Sequence, residues 1–168
     1  MTDAQMMRDL SARQQITDLI YRYCRAVDRI DAELGYSVWH ENGTAEYEGF
    51  FSGTGRGFID KVCAQHRALL SHSHQISNII IELDGDRAAS ESYITATLRI
   101  QDGERLKQFM VWSRYVDQWS FLGGRWGIDK RITIRDFDEV REVDAMSHSS
   151  WGRRDPSDPS YSILKHAV

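Results

Sequence analysis

Only two cysteines occur among the 168 residues, Cys24 and Cys63. They make neither a disulfide framework nor a metal-ligand spacing, and both read as buried thiols. No Lys/Arg run is long enough to track phosphates, and 21 basic against 25 acidic residues leave a net charge of -4; no nucleic-acid partner is expected. Nowhere are there 18 consecutive apolar residues, so no membrane-crossing helix is expected. The start of the chain lacks a basic segment followed by an apolar run, which makes the cytoplasm the expected location. No internal repeat is visible. Aromatic residues, in contrast, are plentiful: five Trp, seven Tyr and six Phe suit either a heavy core or a cavity for flat, apolar ligands. The length and a 41% hydrophobic content fit one domain with a real core.

The stretch from Ile16 to Arg29 reads as an amphipathic helix. At about 100° per residue, Ile16, Ile20, Tyr23 and Val27 form one stripe with Leu19 and Cys24 on its flanks, while Arg22, Arg25 and Arg29 supply the solvated face. Asp28 falls on the shoulder of the stripe. A carboxylate pressed toward a core must be paired or hydrogen-bonded, because desolvating an isolated charge costs several kcal/mol or more. Its partner is therefore the functional question.

Around that helix, residues 1–9 read as a polar lead-in, with Ser11 as N-cap and Gln14 at the capping-box position. Asp31 caps a short helix from Ala32 to Trp39, and Asn42-Gly43 marks a turn before a strand from Thr44 to Glu48. Gly49, Gly53, Gly55 and Gly57 make the next segment loop-like, and a third helix covers Phe58–Leu70. From Ser73 the period changes to two. Strands are predicted at Gln75–Leu83, Arg87–Ile100, Arg105–Trp119 and Arg125–Arg135, joined by turns short enough to make antiparallel neighbours. The expected class is α+β: a curved, mostly antiparallel sheet wrapped around N-terminal helices. Residues 1–146 make the domain. Residues 147–168 make a C-terminal tail whose Trp151, Tyr161, Ile163 and Leu164 suggest order, as a lid over a pocket or an arm on another subunit.

Histidines are the candidate partners of Asp28. His72 and His74 stand two apart at the entry of the first long strand and share a face, so both can look toward the first helix. A carboxylate on one imidazole nitrogen fixes the tautomer and raises the basicity of the other, and an Asp–His dyad is a general base. The plainer readings are Asp28 held at the surface by Arg25 or Arg29, and Tyr23 as an ordinary core tyrosine.

The segments Gln15–Tyr23 with Val27-Asp28-Arg29, His74-Gln75-Ile76-Ser77-Asn78, and Gly124-Arg125-Trp126 with Lys130-Arg131 together resemble the SnoaL-like branch of the nuclear-transport-factor-2-like superfamily over most of residues 8–136. The resemblance implies a cone-shaped α+β barrel with an internal pocket, as a homodimer or homotrimer. Similar in motif are hexachlorocyclohexane dehydrochlorinases, bile-acid 7α-dehydratases and, more remotely, scytalone dehydratase. Those relatives pair an Asp near the end of the first helix with a His on the strand after the third, positions matched by Asp28 and His74. Tyr23 matches a tyrosine of the dehydratases, where the dehydrochlorinases carry a lysine. Arg131 matches a catalytic arginine by its distance from Trp126, although simple alternation puts it on the face opposite Trp126, Ile128, Ile132 and Ile134.

The expected activity is that of a cofactor-independent lyase of dehydratase type, or an isomerase, on a small apolar cyclic or aromatic molecule. In this reading His74 removes a proton from carbon, Tyr23 serves the departing oxygen and Arg131 stabilises negative charge. Trp39, Tyr47, Phe50, Phe51, Tyr93, Trp112 and Tyr115 are candidate pocket residues, with His72 and Asn78. His72, His74 and Asp28 could compose a facial triad, but the relatives need no metal, and neither metal nor cofactor is expected. Two alternatives stand beside this: carbon–carbon cleavage releasing a small aldehyde from an aromatic substrate, and a non-catalytic ligand-binding or assembly module on the same fold.

Overall fold

In the computed structural model, which describes residues 2–164, the first helix (α1, Asp3–Arg29) starts where the Thr2 hydroxyl accepts from the Gln5 amide. The expected lead-in is thus helical, and Ser11 lies inside the helix, its hydroxyl taking the Gln15 side-chain amide. Polar pairs four apart, Gln5 with Asp9 and Gln14 with Asp18, sustain these solvated turns. The following turns bury Ile16, Ile20, Tyr23 and Val27, as the stripe requires. At its C-terminus Ile30 adopts a left-handed conformation (φ 55°), an outlier for a β-branched residue, and its N–H donates to the Ala26 carbonyl.

Asp31 then caps α2 (Ala32–Ser37) through the Leu34 amide. The glycine-rich segment folds as the turn of a hairpin, β1 (Trp39–Tyr47) with β2 (Phe51–Thr54), and as the first turn of α3 (Gly55–Arg67). Glycine is required at 55 because a Cβ there would stand 2.2 Å from the Trp39 indole. Four long strands follow, β3 (Ser71–Asp84), β4 (Arg87–Asp102), β5 (Arg105–Leu122) and β6 (Arg125–Val143), each extending past its predicted end. The curved sheet has the order β2-β1-β6-β5-β4-β3, antiparallel except where β1 meets β6. The helices pack on its inner face, in the α+β arrangement of a nuclear-transport-factor-2-like cone, with Ile16, Ile20 and Val27 of α1 in one core with Ile94, Trp119 and Ile128.

Two extra residues in β6 reset its alternation. Gln118 faces Lys130 while Trp119 faces Ile128, leaving Asp129 unpaired; Trp112 faces Phe137 while Ser113 faces Arg135, leaving Asp136 unpaired. Each such bulge moves every later side chain to the other face. Arg131 therefore shares the inner face with Trp126 and Ile128, and Ile132 turns outward, the reverse of simple alternation. A third bulge, at Asn78 (φ 49°), does the same in β3.

After Val143 the chain returns to the helix ends and finishes in α4 (Pro159–Ile163). Arg29 donates to the Arg153 carbonyl (2.6 Å) and to Asp158 (2.9 Å). The Tyr161 hydroxyl donates to Asp31 (2.9 Å), and Arg25 bonds Ser160 while lying over the Tyr161 ring. Arg154 donates to the His66 carbonyl at 2.7 Å. These contacts make the C-terminal tail a strap on the helix termini. Its last four residues, 165–168, lie outside the described part. Among the described residues no helix is long and apolar enough to cross a membrane.

Candidate active site

Asp28 sits in the last turn of α1, where the final four carbonyls of a helix have no partner within it. One Asp28 oxygen is 2.7 Å from His74 Nδ1 and the other accepts the His74 backbone N–H at 3.1 Å. Both side chains are largely buried, 15% and 9% exposed. Arg25 and Arg29, the surface partners that Asp28 could have had, are engaged by the strap instead. A carboxylate can only accept, so His74 carries a proton on Nδ1, and in the neutral ring Nε2 is a lone pair. Nε2 has no partner among the described residues.

His74 borders a cavity of about 480 Å³ between α1, α3 and the inner sheet face. Phe58 and Val62 of α3, Leu69 just after it, and Ile94, Leu98 and Val111 of the sheet make its walls apolar. Tyr23 and Tyr47 also border it, their hydroxyls 2.8 Å apart. Burial, with Tyr115 and Tyr47 as neighbours, pushes the Tyr23 phenol well above its ordinary range, and burial likewise raises Tyr47 against the pull of Arg131. Both stay protonated near neutrality and can donate a hydrogen bond.

Arg131 does not reach the cavity. It is fully buried opposite Asp117 in the β5–β6 ladder, donating through Nε and Nη2 to the two carboxylate oxygens at 2.7 Å each. Its guanidinium lies between the Tyr23 ring (4.2 Å to the centroid) and the Tyr115 ring (4.1 Å). Burial opposes the charge, but the Asp117 carboxylate outweighs it and the Arg131 pKa stands well above the ordinary value. The cation thus lies behind the phenols.

Of the other residues expected at the pocket, Tyr47, Phe50 and Tyr115 border the cavity. Trp39 lies in the core against Gly55, and Phe51 packs edge-on against Phe58 from β2 without facing the cavity. His72 stands behind, its Nε2 on the Val27 carbonyl at 3.0 Å. The bulge carries Asn78 into a separate cleft with Arg13 and Tyr21. Tyr93 and Trp112 point out of the sheet, Trp112 stacked on Phe137 at 4.7 Å, because the inward positions of β4 and β5 are Ile94, Ala96 and Leu98 and Val111, Ser113 and Tyr115.

His66, Gln65, Ser113 and Thr133 border the cavity without having been anticipated, with Glu48, Arg135 and Asp138. His66 had a signal, since it stands four residues after Val62 and eight after Phe58 on the apolar side of α3. Burial and the neighbouring His72 and His74 push its pKa down to about 4; burial also lowers that of His72. Among the described residues no group of three or more His, Cys, Asp or Glu is arranged to hold a metal ion.

The sequence profile of the SnoaL-like domain matches residues 8–132. No curated protein sequence matches the chain. Among solved structures, a type 2 hexachlorocyclohexane dehydrochlorinase superposes with a TM-score of 0.73 at 14% identity, covering 86% of this chain and 97% of the other. The protein Kfla4162 from Kribbella flavida gives 0.71 at 17% identity over 78% and 95%. A candidate scytalone dehydratase from Novosphingobium aromaticivorans gives 0.69 at 19% identity over 84% and 97%. At such identities the likeness is one of fold, while the profile match takes in more than half of the chain: the protein belongs to the SnoaL-like family, on a nuclear-transport-factor-2-like fold that its structural neighbours use for a dehydrochlorinase.

Proposed function

We propose that the chain is a cofactor-independent lyase of dehydratase type acting on a small, apolar, cyclic or aromatic alcohol. The observation that carries this reading is the 2.7 Å contact of Asp28 with His74 at the edge of an apolar cavity that also holds a pair of buried phenols. His74 Nε2 takes the proton from carbon, and the electrons of the C–H bond form the double bond. The C–O bond breaks with a proton supplied from the Tyr23–Tyr47 pair, and water leaves. The proton on His74 is the one needed to restore the phenol. Arg131 lowers the energy of negative charge on the phenol oxygens from behind, without touching substrate. The same base returning its proton to another carbon would give an isomerase.

The test is a screen of aromatic and alicyclic alcohols by mass detection, followed by His74→Ala and Asp28→Asn on the compound that reacts. Loss of water is expected, with kcat falling about 10²- to 10⁴-fold in folded His74→Ala. Wild-type turnover by both folded variants would end the dyad mechanism, and release of an aldehyde would replace dehydration by carbon–carbon cleavage. The protein is further proposed to be a homodimer or homotrimer, because the outer sheet face exposes Tyr93, Ile132 and Phe137 beside Trp112.

A further inference from the structure

The last turn of α1 ends on an unusual pair of caps. The Val27 carbonyl accepts from two imidazoles, His66 Nδ1 at 3.2 Å and His72 Nε2 at 3.0 Å. A carbonyl can only accept, so each of these nitrogens carries the ring proton. With both rings held neutral by burial, the remaining nitrogens, His66 Nε2 and His72 Nδ1, are lone pairs. His72 Nδ1 is sealed away without a partner. His66 instead borders the cavity, its ring 5.4 Å from that of His74 centre to centre, and its Nε2 has no partner among the described residues.

With His74 neutral, as its part as a base requires, this part of the cavity presents two imidazole acceptors, one on His74 and one on His66, on rings whose centres are 5.4 Å apart. Two acceptors cannot satisfy each other, and an acceptor left unpaired when a ligand displaces water costs about as much as a lost hydrogen bond. The complementary ligand brings two hydrogens to this corner. On the proposed reaction one is the carbon-bound proton that His74 removes. We infer that the other is a hydroxyl on the same ring system, donated to His66 Nε2, so that His66 positions the acidic carbon over His74 and selects hydroxylated rings over their ethers. The inference rests on the lyase reading for the role of His74, but the contact with His66 is a matter of binding alone. Val27 carries the geometry: it anchors His66 one residue before Asp28, the group that anchors His74.

The probes are 2-naphthol and its methyl ether, 2-methoxynaphthalene, titrated calorimetrically into the full chain. The expected result is tighter binding of the naphthol by about tenfold, the value of one hydrogen bond. His66→Phe should bring the ratio close to one, whereas His74→Phe should preserve it. In case His66→Phe does not fold, nitrogen-15 NMR of the histidine-labelled wild-type chain provides the second readout. Free His66 should show a protonated Nδ1 and a pyridine-type Nε2, and the Nε2 resonance should move on addition of the naphthol and stay on addition of the ether. Equal binding of the two probes, binding of neither, an unchanged ratio in folded His66→Phe, or a pyridine-type Nδ1 on His66 would each overturn the inference. None of these readouts requires turnover, so they stand apart from the His74→Ala and Asp28→Asn kinetics that decide the dyad.

Discussion

Asp117→Asn is the most searching perturbation of this fold. Asp117 and Arg131 are both fully buried and joined by two hydrogen bonds of 2.7 Å. The amide keeps the shape of the carboxylate and one acceptor, but removes the negative charge and leaves the guanidinium uncompensated between the Tyr23 and Tyr115 rings. Removing one partner of a buried pair costs about 3–5 kcal/mol, and retention of one acceptor puts this variant near the lower end, about 3 kcal/mol. For a chain of this size that lowers Tm by roughly 6–12 °C. Urea unfolding followed by tryptophan fluorescence and far-ultraviolet circular dichroism measures it, with an unchanged slope required before the midpoint is read as stability. The double variant Asp117→Leu with Arg131→Met removes the stranded charge. It should recover part of the loss and not all, because the stacking of Arg131 on two phenols disappears, at about 0.5–2 kcal/mol per contact. A loss below about 1 kcal/mol in Asp117→Asn would refute the argument, since it would mean that Arg131 reaches water.

Acid should destabilise the protein through His66. Its folded pKa of about 4 lies below the ordinary 6.5, so between those values the unfolded chain binds a proton that the folded one does not. Stability is complete above pH 6.5 and is lost as pH falls toward 4, by about 3 kcal/mol in all. His72 adds in the same direction, and urea midpoints between pH 7 and 4.5 should show a flatter slope in His66→Asn. Asp158→Ala removes the group that gathers Arg29, the Arg153 amide and Ser160. Trypsin should then cut at Arg153 or Arg154 faster than in the wild type, and an unchanged rate would mean that the strap is held by other contacts. Light scattering should give a dimer or trimer that Phe137→Glu dissociates, and a wild-type monomer at micromolar concentration would refute the proposed assembly.

The sequence is enough to place the elements whose signals are short-ranged: the apolar stripe of α1 with Asp28 on its shoulder, the Asp31 cap of α2, and the four long strands with their tight turns. It also determined that His72 and His74 share a face, since a period of two holds over adjacent residues. It understated the strands and missed the first turns of α1, where solvated pairs replace apolar periodicity. The tertiary structure decided everything that depends on phase or on a distant partner. The unpaired Asp129 turns Arg131 inward, and a single extra residue is invisible to a pattern that assumes strict alternation. Asp117 then takes Arg131 into the core, and Arg25 and Arg29 are drawn to the strap and leave Asp28 to His74. His66 and His72 share the Val27 carbonyl, yet His66 opens on the cavity while the second nitrogen of His72 is sealed away. Hydrogen bonds between elements choose among partners that the chain order leaves equivalent, and only packing makes that choice.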